Sequence, residues 1–203
     1  RAFFRRIAAA VLLAAAGCSS TSFVSTWSAP DAERLRLEGS KVAAVFMTRN
    51  TVARRTGEEA MAREITARGA QGVPSYTVLS DDAIRNEEQA RATFEKLGFQ
   101  GTVAMRVVGK ETQYTYTPSY WSSYPYYGRF WGGYWGWGWG TVYQPGYLTA
   151  DKVVSVETLV YSLRQDKLVW AGVSQTVDPT ELNSFVSELA KAVTGKMKDA
   201  GLL

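Results

Sequence analysis

Residues 152–177 read KVVSVETLVYSLRQDKLVWAGVSQTV, and their pattern decides the fold. Two runs rich in valine, leucine and aromatic residues flank Gln165-Asp166, where a turn is expected. Runs of this length and composition, split by turn residues, predict two long strands joined as a hairpin. Asp178-Pro179-Thr180-Glu181 follows. An N-cap aspartate, a proline at the first helical position and a glutamate at the third predict a helix start. Leu182, Phe185, Val186, Leu189, Val193 and Met197 then recur at helical spacing, and Gly201 is placed to end the helix.

Working backwards, residues 102–108 (TVAMRVV) predict a third strand, extending toward Tyr116. Residues 42–47 (VAAVFM) and 73–79 (VPSYTVL) predict two buried ones. Between these lie two helices. The first is expected over 56–68, opened by a Thr56/Glu59 capping box and stopped by Gly69. The second is capped by Asp81-Asp82 or by Asn86, has Phe94 and Leu97 inward, and ends at Gly98. The order is β-α-β-α-β, a long insertion, then β-β-α. This predicts one α/β (α+β) domain over 41–203, with a mixed sheet of about five strands and three helices.

The N-terminal residues 1–17, RAFFRRIAAAVLLAAAG, combine three arginines with an apolar run too short to span a bilayer. This is the layout of a secretory signal. Ala15-Ala16-Gly17-Cys18 resembles a bacterial lipobox, with alanine where leucine is usual. That resemblance implies lipidation of Cys18 as the first mature residue, and Ser19 after it implies the outer membrane. Residues 18–40, SSTSFVSTWSAP included, are expected to be a tether with Phe23 and Trp27 as isolated apolar anchors.

If the signal leaves, Arg1, Arg5 and Arg6 leave with it, so of 23 basic residues 20 remain against 19 acidic ones. Such a balance carries no footprint for nucleic acid. Cys18 is the only cysteine, so no disulfide can form, and the domain must hold by its core alone. The chain also has no histidine. Neither a Ser-His-Asp arrangement nor a His/Cys metal site can be assembled, and no cofactor motif is present. No catalytic residue and no metal ligand is therefore assigned. The remaining chemistry is carboxylate chemistry. Glu58-Glu59, Asp81-Asp82 and Glu87-Glu88 are read as acids of helix starts, where they favour the dipole and cap amides.

The feature without a structural explanation is the insertion, residues 112–150. Its core reads YWSSYPYYGRFWGGYWGWGWG, and Arg129 is its only charge. Fifteen aromatic residues lie between Tyr114 and Tyr147, five of the seven tryptophans among them. So many rings on a free surface would be an aggregation hazard, so something must cover them. Three readings stand: a loop folded over its own domain, a binding surface, or contact with the membrane headgroup zone. The candidate binding residues are Tyr120, Trp121, Tyr124, Tyr126, Tyr127, Arg129, Phe130, Trp131, Tyr134, Trp135, Trp137 and Trp139.

A capped helix after the first strand, GVPSYTVL, TVAMRVV, VETLVYSLRQDKLVWAG and a last helix ending GLL are similar to a group of uncharacterised bacterial envelope lipoproteins. Those carry a Tyr/Trp/Gly-rich insertion in a small α/β domain. By element order the chain distantly resembles the α/β domains of curli-pore-subunit and peptidoglycan-synthase-activator lipoproteins, and the N-terminal domain of the Tol-system propeller protein. The resemblance implies a periplasm-facing, membrane-anchored protein with a non-enzymatic binding or assembly role. An envelope protein or peptidoglycan would then be its partner. A carboxylate-dependent hydrolase of cell-wall glycan and a self-associating structural protein remain the alternatives.

Overall fold

A computed structural model describes residues 21–30, 35–112, 152–177, 179 and 181–203. Six strands form one mixed sheet: β1 (Thr21–Ser28), β2 (Lys41–Phe46), β3 (Gln71–Pro74), β4 (Gly101–Thr112), β5 (Lys152–Ser162) and β6 (Lys167–Val177). Their order across the sheet is β1-β6-β5-β4-β2-β3. Among the described residues three α-helices accompany them: α1 (Thr51–Thr66), α2 (Glu87–Lys96) and a last one, α3 (Leu182–Asp199). The expected mixed sheet and three helices are present, with one strand more than the sequence indicated.

That extra strand, β1, lies in the stretch read as a tether. Its Ser/Thr composition carries only two large rings, too little local signal for a buried strand. The pairing comes from β6, antiparallel, with Thr21 opposite Thr176 and Ser28 opposite Trp170. A bulge between Phe23 and Ser25 changes which face the strand presents. Phe23 therefore packs edge-on against Trp170, ring centroids 6.1 Å apart, on one side of the sheet. Trp27, four residues on, joins the core of the other side.

The two cores explain the unbroken apolar runs. Val42, Ala44, Phe46, Val103, Met105, Val154, Val156 and Val160 face α1 and α3. Ala43, Val45, Met47, Ala104, Leu159 and Tyr161 face the side of α2. Strands buried on both faces need apolar residues at odd and even positions alike. The β5–β6 hairpin forms as expected, and Asp166 in its turn takes the left-handed conformation (φ 51°). Tyr161 Oη and Arg91 Nη1 of α2 both donate to Asp166 Oδ1, which ties the turn to that helix.

Several element boundaries differ from the sequence-based expectation. Helix α1 begins at Thr51, not at Thr56, because Asn50 caps it by accepting from Ala53 N at 2.9 Å. Thr56 is spent on the Val52 carbonyl. Strand β3 stops at Pro74, and Ser75–Thr77 form a 3-10 turn in place of the second half of the expected 73–79 strand. Of the two starts for α2, Asn86 is the cap, accepting from Gln89 N at 2.9 Å. Phe94 is buried against Phe99, but Leu97, expected inward, is 40% exposed. Helix α3 starts at Leu182 with Glu181 in an extended N-cap conformation, three residues after Pro179. Its inner stripe from Phe185 to Met197 is buried as expected, and Gly201 (φ 74°) follows its end.

One close approach fixes the position of α1. A Cβ on Gly72 of β3 would stand 2.2 Å from the Ala62 carbonyl oxygen. Only glycine lets the helix backbone lie directly on the edge strand.

Candidate functional site

Cys18 and all the candidate binding residues from Tyr120 to Trp139 lie outside the described residues. Their attachment to the domain is described. Strand β4 ends at Thr112, and β5 begins at Lys152 directly opposite it. Residues 113–151 thus leave and re-enter at the two open ends of one antiparallel ladder. The described ladder runs from Gly101/Ser162 to Thr112/Lys152, with one bulge between Val107 and Gly109.

A second candidate region follows from the topology. Strand β2 lies between β3 and β4, parallel to both. The chain leaves β2 for α1 on one face, and leaves β3 for α2 on the other. Neighbouring parallel strands whose exits turn to opposite faces open a crevice at their carboxyl ends, where open α/β sheets commonly hold ligands.

Here that crevice is filled by the side chain of Glu58. Its Oε1 accepts from Phe46 N (3.2 Å), Arg54 Nε (3.0 Å) and Ser75 Oγ (2.7 Å), and its Oε2 from Tyr76 N (2.8 Å). Arg54 also donates from Nη2 to Ser75 Oγ at 3.2 Å and from Nη1 to Asp81 Oδ1. Glu58 and Ser75 are fully buried and Arg54 is 2% exposed. Burial pushes the Glu58 carboxyl above its ordinary value; Arg54, Ser75 and the Tyr76 amide pull the other way.

Three elements supply these groups. The spacing Arg54, Glu58, Met61, Ile65 puts the pair on the inner stripe of α1. Phe46 ends β2, and Ser75 and Tyr76 begin the turn after β3. The reading of Glu58-Glu59 as acids of a helix start is therefore incorrect. Because α1 opens at Asn50, both residues sit two turns further in. Glu58 becomes a buried internal anion, and Glu59 accepts from Tyr76 Oη at 2.5 Å. That hydrogen bond is the main cause holding the Tyr76 phenol above its ordinary range. Glu87 and Glu88 do lie in the first turn of α2. Sequence reasoning missed Arg54, whose only signal is its i,i+4 relation to Glu58 within an apolar stripe.

The arrangement is an ion-pair clasp rather than a pair of working acids. Glu58 and Asp81 hold the same guanidinium instead of facing each other across a cleft. Glu58 is sealed from solvent, so no substrate oxygen reaches it. Next to the clasp, a groove of about 510 Å³ runs along the sheet edge between α1 and β3, lined by Glu59, Ala62, Arg63, Thr66, Gly72 and Pro74. The edge strand is blunted there, since Gly72 N donates to Thr66 Oγ1 and Pro74 has no N–H. Among the described residues no three His, Cys, Asp or Glu side chains gather to hold a metal ion. No helix among them is long and apolar enough to cross a membrane.

No protein-family model and no curated protein matches the chain. Solved structures with a similar course exist. A PelC dodecamer from Paraburkholderia phytofirmans is 13% identical, with 90% of this chain and 99% of that one covered, at a TM-score of 0.49. A single-substitution form of that PelC dodecamer is 14% identical over 84% and 95% of the two chains, at 0.46. Lipoprotein GNA1162 from Neisseria meningitidis is 12% identical over 79% and 98%, at 0.39. These are distant likenesses of chain course, and no residue role passes through them.

Proposed function

We propose that the protein is a non-enzymatic, lipid-anchored module of the bacterial cell envelope. It is held by Cys18 to the outer membrane, faces the periplasm, and binds or assembles an envelope partner through its aromatic insertion. The observation that carries this reading is the attachment of residues 113–151. They connect Thr112 and Lys152, which face each other across the β4–β5 ladder. A segment joined in this way can be devoted to a partner without entering the core of the domain. Its many rings and few charges, Arg129 within it and Asp151 at its end, suit a contact surface, because tyrosine and tryptophan give large area with few rotatable bonds. The clasp at the sheet crevice supports a non-enzymatic role, since it occupies the place where this architecture would hold a substrate.

The test is a variant lacking residues 120–140, closed by a short Gly-Ser linker. It is compared with the parent by thermal melting and by crosslinked pull-down of envelope proteins and peptidoglycan from intact cells. Unchanged melting with lost capture is the expected result. Unchanged melting with unchanged capture overturns the binding role. A Tm lowered by more than about 10 °C, several kcal/mol for a domain of this size, places the rings in the core instead.

A further inference from the structure

We propose that the end of the sheet formed by the start of β1, the end of β6 and the β4–β5 tip is a lipid-facing surface, so that the domain stands on the bilayer by this end. The inference rests on the lipid-anchored reading above and adds to it which surface the lipid meets.

The strand registers carry the argument. Thr21 of β1 is opposite Thr176 of β6, Thr176 is opposite Val154 of β5, and Val154 is opposite Lys110 of β4. These four residues form one cross-strand row. Two residues further along β4 the described ladder reaches Thr112 and Lys152, which residues 113–151 connect. The first strand therefore begins, and the aromatic segment leaves, at the same end of the sheet. Cys18 precedes Thr21 by three residues, a reach of at most about 11 Å for an extended chain. An acyl chain on Cys18 lies in the bilayer, so this row cannot stand much further than that from the headgroup zone. The opposite end of the hairpin, the turn after Ser162, is ten residues away along β6, about 33 Å.

One apolar residue at this end suits such a surface. Val177, the last residue of β6, is 40% exposed, one of three exposed large apolar side chains among the described residues, with Val52 and Leu97 elsewhere. Lys110, Glu111 and Lys152 occupy register positions at the same end.

The absence of any cysteine other than Cys18 makes the test direct. Val177→Cys and Arg164→Cys are made separately in the full lipidated protein and labelled with a thiol-reactive fluorophore. They are then reconstituted in vesicles of phosphatidylethanolamine and phosphatidylglycerol carrying a headgroup quencher. The expected result is one label per chain by mass, loss of most emission at position 177 and none at 164. One label per chain with equal quenching, or with stronger quenching at 164, overturns the proposed surface and leaves the anchor intact. Two labels per chain would show that the Cys18 thiol is free and would overturn both the anchor and the surface.

Discussion

Replacing Arg54 with methionine keeps most of its aliphatic stem and removes the charge that faces Glu58 and Asp81. Glu58 then remains fully buried with only Ser75 and the amides of Phe46 and Tyr76 as partners. Removing one member of a buried ion pair costs about 3–5 kcal/mol. At roughly 2–4 °C per kcal/mol for a domain of this size, Tm falls by about 6–20 °C at pH 8. The loss depends on pH, and its sign follows from linkage. Burial already raises the Glu58 carboxyl, and without Arg54 it rises further. A carboxyl whose folded value exceeds its unfolded value contributes stability that is present below the unfolded value and lost as pH rises through the folded one. Arg54→Met should therefore be closest to the parent near pH 5. The gap should widen upward from there, by at most about 1.4 kcal/mol per pH unit. Glu58→Gln keeps an acceptor at Oε1 and leaves Arg54 paired with Asp81, but it turns an NH2 toward the Tyr76 N–H, so it too should destabilise the fold. It should also remove the pH dependence when added to Arg54→Met. The assay is guanidinium unfolding by tryptophan fluorescence at pH 5, 6, 7 and 8. A pH-independent difference between parent and Arg54→Met, or one under about 1 kcal/mol at pH 8, would refute the clasp as described.

Trp170→Ala removes a 2%-exposed ring that packs against Phe23. It should lower unfolding free energy by about 3–5 kcal/mol, read from the denaturant midpoint. Gly72→Ala forces a methyl carbon toward the Ala62 carbonyl oxygen. A loss of about 1–3 kcal/mol is expected, and an unchanged Tm would mean that α1 can lift away from β3 freely. Cys18→Ser should give an unprocessed or soluble product; persistence in the membrane fraction after a high-salt wash would remove the lipoprotein reading.

Much of the fold was legible because its signals are local. The β5–β6 hairpin shows itself in two long apolar runs around Gln165-Asp166. The inner stripe of α3 shows itself in helical spacing, and Gly69, Gly98 and Gly201 mark chain reversals at positive φ. A linear sequence also carries the layout that points to Cys18 and the concentration of rings from Tyr120 to Trp139. Tertiary structure decided what depends on distant partners. TSFVSTWS is a strand because β6 offers it an open edge and a bulge aims Phe23 and Trp27 at opposite cores. Glu58 reads as one of several surface acids until β2, α1 and the turn after β3 converge on it. Hydrogen bonds from residues 12 and 18 positions away have no periodicity to betray them. The common end shared by Thr21 and Thr112 was equally hidden, since it follows from strand order and register across β6 and β5. Pairing between strands is set by burial of both sheet faces at once, and that is a property of the assembled layers rather than of any one segment.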